Sequence, residues 1–278
     1  VDRDEKDWDD LQVIFATSAG TVRRNKLSDF TNVKSNGKIA MKFEGEHEGT
    51  TLINARIASN DDDVMLVTDA GRAIRFPATD VRVFNSRNSV GVRGIRLGED
   101  DNLVSMSVIR HFEASSEERV AYLKQRRLMA GLTDDDSSDD EEEQVQAGQL
   151  STERYAEMSA AEDLILTITA KGAGKVSSAH DYPVRGRGGM GVTAWTKAMA
   201  HGPIVACFPV EMSDQVMLAT SKGQSIRVPV EGISFRSRSA GGVKVFSTGK
   251  NEEVVSVAWI ADQGNEEDEG EEGSSAAE

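Results

Sequence analysis

Apolar residues along this chain come in short runs separated by polar, glycine-bearing turns. One such phrase occurs four times: VIFATSAGTVRR from Val13, VMLVTDAGRAIR from Val64, LILTITAKGAGK from Leu164 and VMLATSKGQSIR from Val216. Their Thr-x-x-Gly pairs, Thr17/Gly20, Thr68/Gly71, Thr169/Gly172 and Thr220/Gly223, are 51, 101 and 51 residues apart, so the middle step is one repeat plus a 50-residue insertion. Each copy runs on through a polar loop to a second glycine (Gly37, Gly91, Gly191, Gly242), a short segment (KIAMKF, VRGIRL, VTAWTK, VKVFST) and a closing run (TLINARI, NLVSMSVI, PIVACFPV, VVSVAWI). Runs this short, rich in β-branched residues, bounded by turns and lacking a helical period, predict strands. Four strands per ~50 residues is the size of a propeller-like blade, so the expected class is all-β. The glycine of Thr-x-x-Gly has a mechanical reason, because a tight hairpin needs a residue at positive φ.

The repeats divide the chain into a lead-in at 1–11, blade repeats at 12–61, 62–110, 164–213 and 214–261, an insertion at 111–163 and a tail at 262–278. In the insertion, SSEERVAYLKQRRLMAGL opens on a capping-box pattern from Ser115 to Glu118 and predicts a short helix, with QRRLM on its surface. STERYAEMSAAED predicts a second helix. The run DDDSSDDEEE at 134–143 holds eight acids in ten residues, and it is expected to stay disordered, as is the tail EEDEGEEGSSAAE.

Charge follows this division. The formal net charge is −15, yet the repeat-bearing blocks 12–110 and 164–260 carry +2 and +5, and the acid lies outside them. Within the repeats, cations recur at equivalent places. One group follows the first hairpin: Arg23 and Arg24, Arg72 and Arg75, Lys175, and Arg227. The other flanks the second glycine: Lys34 and Lys38, Arg87, Arg93 and Arg96, Arg185 and Arg187, and Arg236, Arg238 and Lys244. On blades set around an arc, equivalent positions line one edge. A curved track of Lys and Arg beside glycine and serine amides fits a phosphate backbone and needs few base-reading side chains. The implied partner is bent double-stranded DNA. Both acidic runs would then compete for the basic rim, or simply solvate the chain.

Other chemistries find little support. Lone Cys207 excludes an internal disulfide framework and reads as a core residue. His47, His111, His180 and His201 are scattered without metal-ligand spacing, so no metal is expected. No Walker loop, G-x-S-x-G elbow or H-E-x-x-H motif occurs, and the carboxylates of NDDDV and GEDDN fall at blade turns, where acids cap backbone. Tyr122, Tyr155 and Tyr182 lack surroundings suited to a nucleophile. No stretch approaches a membrane span, and the acidic start VDRDEKDWDD is unlike a signal peptide.

At NSVGVRGIRLGEDDNLVSMSV, Asn88 to Val108, and at VIFATSAGTVRRNKLSDF, Val13 to Phe30, the sequence closely resembles the C-terminal domain of the bacterial DNA gyrase A subunit. The likeness runs through all four repeats and corresponds to the last four of that domain's usual six blades. It implies a β-pinwheel, whose blades exchange strands and whose basic rim wraps DNA so that an ATP-dependent type II topoisomerase introduces negative supercoils. It further implies a cytoplasmic, nucleoid-associated setting, a dimer formed with the rest of the gyrase A chain, partnership with the gyrase B chain, and no catalysis in this segment. No cofactor is expected here, ATP and Mg being bound elsewhere in the parent enzyme. The family's Q-R-R-G-G-K-G box belongs to a blade this chain lacks. The alternatives are the related domain of topoisomerase IV, whose blades are more degenerate, or a propeller-type protein-interaction module.

The stretch RGRGGMGV, Arg185 to Val192, matches the phosphate-cradle spacing G-x-G-x-x-G, but a cradle requires a helix to open after it. A strand, VTAW, is predicted there instead. Arg187 to Gly191 resembles half of the gyrase box with Met190 in place of lysine, and Arg185 with Arg187 is the first pair to replace.

Overall fold

The computed structural model describes Trp8 and residues 10–131, 148–196 and 201–260; the acidic run 134–143, most of the lead-in and the tail 262–278 lie outside the described residues. The first repeat contributes β1 (Gln12–Thr17), β2 (Thr21–Lys26) and β3 (Leu52–Ala58). The second contributes β4 (Asp62–Thr68), β5 (Arg72–Pro77), β6 (Val92–Arg93) and β7 (Leu103–Arg110). After helices α1 (Ser116–Met129) and α2 (Thr152–Ala160), the third repeat holds β8 (Leu164–Thr169), β9 (Ala173–Ser178), β10 (Val192–Thr193) and β11 (Ile204–Val210). The fourth holds β12 (Gln215–Thr220), β13 (Ser225–Pro229), β14 (Val243–Lys244) and β15 (Val254–Ile260).

These strands form four antiparallel sheets in the orders β3-β1-β2-β6, β10-β5-β4-β7, β11-β8-β9-β14 and β13-β12-β15. The closing strands pack one on the next, β3 on β7, β7 on β11 and β11 on β15, and line a central cavity of about 600 Å³. The short strands do not stay with their own repeat. β6 pairs with β2 (Thr21↔Arg93), β10 with β5 (Arg72↔Thr193) and β14 with β9 (Ala173↔Lys244). A parallel bridge backs each exchange: Arg24↔Val83, Arg75↔Val184 and Val176↔Phe235. A blade is therefore three strands of one repeat plus the short strand of the next. Two places depart from the four-strand expectation: KIAMKF is not a strand, and the last sheet has three strands. The reason is the same for both, since a two-residue strand exists only where a hydrogen-bonding edge meets it. Neither the first repeat's segment nor the β13 edge finds its counterpart among the described residues.

The core lies between blades. Along β4, Val64 and Leu66 enter one layer with Ile14, Val22, Phe76, Ile95 and Met106, while Met65 and Val67 enter the next with Ile165, Trp195 and Cys207. A third layer joins Leu166 and Ile168 to Val216, Leu218 and Val230. Burial on both faces is why the inner strands read as unbroken apolar runs.

The hairpin glycines take positive φ, as expected: 75° at Gly20, 87° at Gly71, 76° at Gly172 and 81° at Gly223. They are not equivalent beyond the turn. At Gly223 nothing lies within 4 Å of a Cβ, so the turn is its whole task, whereas at Gly172 a Cβ would stand 2.3 Å from the Phe246 carbonyl oxygen of the next repeat. The turn reading of Gly172 is therefore incomplete, because a neighbouring backbone closes on it too. The second glycines serve such close approach first. Gly191 has φ +68°, and a Cβ there would stand 2.1 Å from the Ala73 carbonyl oxygen; at Gly91 the same clash, with Val22, is 2.0 Å, and at Gly242 the Gly174 carbonyl oxygen is 2.5 Å away. Gly37 has open space instead.

Both predicted helices of the insertion are present, and α1 carries the capping box, with Glu118 N–H donating to Ser115 Oγ (3.2 Å) and Ser115 N–H to Glu118 Oε2 (2.9 Å). The pair is docked on the third repeat. Buried Tyr122 meets His180 edge-on at 5.1 Å, and His180 Nε2 lies 2.8 Å from the Met158 carbonyl. Arg126 pairs with Glu162 (3.1 Å) and lies over the Phe235 ring.

Candidate nucleic-acid interface

The sixteen cations singled out by sequence do not share one environment. Five are buried and so withdrawn from an accessible track: Arg23, Arg24, Arg75, Lys175 and Arg238. Their positions equivalent in sequence are equivalent in structure too, but the alternation of side chains along β2, β5 and β9 turns them into the array rather than out of it. Lys175 Nζ donates to the carbonyls of Ala194 (2.9 Å), Ser237 (3.1 Å), Ala240 (2.6 Å) and Arg238, above the Trp195 ring. Burial pushes its pKa down to about 7. Arg23 occupies the matching place in the first blade, donating to Arg87 O (2.8 Å), Ser89 O, Ala40 O and Asn25 Oδ1 (2.7 Å). Burial and then the nearby Arg87 charge lower its pKa to about 10. Arg24 reaches Asn60 Oδ1 (3.1 Å), and burial lowers its pKa as well.

Arg75 pairs with the fully buried Asp63 (2.7 Å) and donates to Ala179 O (2.8 Å) and Arg110 O (2.9 Å). Asp63 also bonds His111 Nδ1 (2.8 Å), whose other nitrogen meets Glu113 (3.2 Å). Desolvation alone would lower the His111 pKa; the hydrogen bonds to Asp63 and Glu113 outweigh it and hold it above the ordinary value. Asp63 thus differs from its neighbours in NDDDV. Asp62 caps the turn as expected, accepting from Ser59 N–H (2.7 Å), whereas Asp63 anchors the start of the insertion to the second blade.

A second group lies at the surface but is occupied by backbone. Arg72 donates to Met190 O (3.2 Å) and Gly191 O (3.0 Å), Arg87 to Ile39 O (2.9 Å), and Arg187 to Asp80 O (2.9 Å) and Arg93 O (2.9 Å). Lys38 Nζ meets Thr31 O (2.8 Å) but is exposed. The loop RGRGGMGV leads into β10 rather than a helix, so its glycines do not cradle a nucleotide as a helix-opening loop would.

The glycine amides expected beside the cations are also partly spent. Each hairpin glycine closes its own turn by donating N–H to the threonine three residues back: Gly20 to Thr17 O (2.9 Å), Gly71 to Thr68 O (3.1 Å), Gly172 to Thr169 O (3.0 Å) and Gly223 to Thr220 O (3.0 Å). Gly37 N–H is likewise held by Lys34 O (2.9 Å) and Gly91 N–H by Ser89 Oγ (3.0 Å). One N–H makes one strong bond, so these amides hold the turns and the charge on the rim is left to side chains.

The exposed remainder lies along the outer edges of the sheets. Arg93 is on β6, with Arg96 just beyond it; Arg185 donates its backbone N–H to Arg75 O (2.8 Å) at the edge of the second sheet. Lys244 is on β14, half-buried Arg236 lies beside β9 through Val176 O (2.8 Å), and Arg227 is on β13. Lys34 and Lys38, with Arg87, line a surface hollow of about 870 Å³ together with Lys42. Sequence reasoning missed Lys42, although it stands five residues after its repeat's second glycine, as Arg96 does. The arrangement is a cationic perimeter around an apolar array.

No group of His, Cys, Asp and Glu able to hold a metal occurs among the described residues. Cys207 is buried, and desolvation pushes its thiol up to about 11; burial also raises the Tyr122 and Tyr182 hydroxyls above their ordinary value. No helix among the described residues is long and apolar enough to cross a membrane.

Strand-exchanged blades with a cationic outer edge define a propeller-like, pinwheel class of domain. The model of the DNA gyrase C-terminal domain, a beta-propeller, matches residues 12–50, 62–110, 163–194 and 214–258, and the chain belongs to that family. It is 43% identical to the DNA gyrase A subunit of Granulibacter bethesdensis over 99% of the chain, and 37% identical to that of Rickettsia bellii over 95%. It spans 30% and 29% of the length of those two proteins. A solved DNA gyrase A C-terminal domain superposes with TM-score 0.63 at 21% identity, covering 91% of this chain and 67% of that one. The C-terminal domain of DNA topoisomerase IV superposes with TM-score 0.66 at 19% identity, covering 94% and 68%. These superpositions speak to fold alone.

Proposed function

We propose that this chain binds duplex DNA along its outer edge and bends it, as the non-catalytic wrapping part of a gyrase A subunit. The observation that carries the reading is that the outer edge of every sheet holds an exposed cation: Arg93, Arg185, Lys244 and Arg227. A backbone wrapped around that edge exchanges condensed counterions for Lys and Arg contacts, which needs no base recognition. The parent enzyme on this reading is an ATP-dependent type II topoisomerase, acting beside the chromosome in the cytoplasm. There the gyrase A chain dimerises and joins the gyrase B chain, and ATP and Mg bind outside this segment. Wrapping of fixed hand would let that enzyme introduce negative supercoils.

Duplex affinity measured against salt tests the reading. The seven exposed cations Lys34, Lys38, Arg93, Arg96, Arg185, Arg227 and Lys244 predict a log–log slope of roughly −6, at about −0.9 per phosphate contact. Closing a nicked plasmid with ligase in the presence of the chain should shift its linking number. A weak, salt-independent affinity would overturn DNA binding in favour of a protein-interaction module, and an unshifted linking number at saturation would overturn wrapping.

A further inference from the structure

Three joints between consecutive repeats are made in the same way. An arginine stands four residues before the second glycine in the second, third and fourth repeats: Arg87, Arg187 and Arg238. In each case its Nη1 donates to the carbonyl two residues after the preceding repeat's second glycine: Arg87 to Ile39 (2.9 Å), Arg187 to Arg93 (2.9 Å) and Arg238 to Thr193. The preceding repeat returns a backbone bond each time, from Lys42 N–H to Asn88 O (3.2 Å), Arg96 N–H to Gly189 O (2.8 Å) and Thr196 N–H to Ser239 O (2.7 Å). In two joints the same guanidinium also uses Nε, Arg187 to Asp80 O (2.9 Å) and Arg238 to Asp181 O (2.8 Å). The first repeat has exposed Val33 at that place and no such arm.

Two donors fixed in one plane hold two carbonyls of the neighbouring repeat at a set angle, which an ammonium on a flexible stem does not reproduce. The staples sit on the perimeter, where a small rotation between blades moves side chains farthest. We propose that Arg87, Arg187 and Arg238 are positioning residues that fix the rotation of each blade on the last. They thereby set the spacing of the exposed cations rather than contacting phosphate themselves. Recurring cations at these places then reflect two separate tasks: joining repeats, and facing the ligand.

The proposal rests on the DNA-wrapping reading, and its test separates the two. Arg187→Lys, Arg187→Gln and Arg185→Gln are made in the whole chain, their folding is checked by thermal melting, and each is assayed for duplex affinity against salt and for linking-number change per bound copy. Arg187→Lys and Arg187→Gln are expected to keep affinity within about twofold with an unchanged salt slope, while the linking-number change per copy falls by at least half. Arg185→Gln is expected to lower the slope by about one and to keep the change per copy at saturation. A wild-type linking-number change in both Arg187 variants overturns the staple. So does a slope lost in Arg187→Gln and restored in Arg187→Lys, which marks a phosphate contact. If the parent chain binds without shifting linking number, wrapping has failed and the staple is judged without DNA. In that case an X-ray scattering profile unchanged by Arg187→Gln overturns it, and a changed profile supports it.

Discussion

The second and fourth blades open on nearly the same words, VMLVTDAGRAIR and VMLATSKGQSIR, yet put them to different uses. Met65 is 1% exposed and its counterpart Met217 is 41% exposed. Arg75 is buried against Asp63, whereas Arg227 is exposed on a strand edge with no neighbour beyond it among the described residues. The second blade has a blade against each face, and its outer edge is covered by Val184 and β10. The fourth has a partner layer on one face only. The comparison teaches that place in the array, rather than the local phrase, decides whether a cation is a joint or a surface charge.

The contrast is sharpest at the arginines. Arg75→Met should cost about 3–5 kcal/mol, because it leaves the Asp63 carboxylate buried beside His111 without its main partner. Arg227→Met should stay within about 0.5 kcal/mol in urea unfolding and be felt instead in the salt slope of DNA binding. Equal stability losses at the two sites would break the comparison. The methionines come next. Met65→Ala should cost about 2–4 kcal/mol by cavity formation, against less than about 0.5 kcal/mol for Met217→Ala at its exposed counterpart.

The smallest effect concerns the third blade, which puts Lys175 where the second and fourth have Ile74 and Ile226. Its folded pKa of about 7 lies below the ordinary 10.5, so the unfolded chain binds more protons between those values. This contribution to stability is present in full above about 10.5, and is lost as pH falls towards about 7. Urea unfolding at pH 7 and pH 9 should therefore show a rise in wild-type stability that Lys175→Met lacks. A parallel rise in both proteins would show that Lys175 stays charged in its carbonyl cage.

Much of the architecture was legible in the sequence. The four phrases, the hairpin glycines, the capped helix at Ser115 and the insertion boundaries depend on local rules of turn chemistry and periodicity, which act within a few residues. The same rules could not tell Gly172, pressed by Phe246 of the next repeat, from Gly223, which stands clear. The interface was half legible. That cations recur at fixed places is a property of the repeat, but Arg23 and Arg93, both near strand edges in sequence, part company in the fold. Arg23 points into a cage built by Ala40, Arg87 and Ser89, while Arg93 points outward from β6. The staple was hidden for a related reason. Arg187 and its acceptors Asp80 and Arg93 belong to different repeats, 107 and 94 residues apart, and no spacing rule links them.

The loop RGRGGMGV shows where the division falls. Its sequence alone determined that a strand follows it, that its glycines recur with the repeat and that it is cationic. Those properties come from short-range backbone preference and composition. Only the tertiary structure decided that Gly191 admits the Ala73 backbone, that Arg72 grips Met190 and Gly191, and that Arg187 spends two donors on carbonyls of the preceding repeat while Arg185 keeps its place at the exposed edge. The reason is that a guanidinium's partners are set by which backbone the exchanged strand brings alongside it, and strand exchange is a relation between repeats.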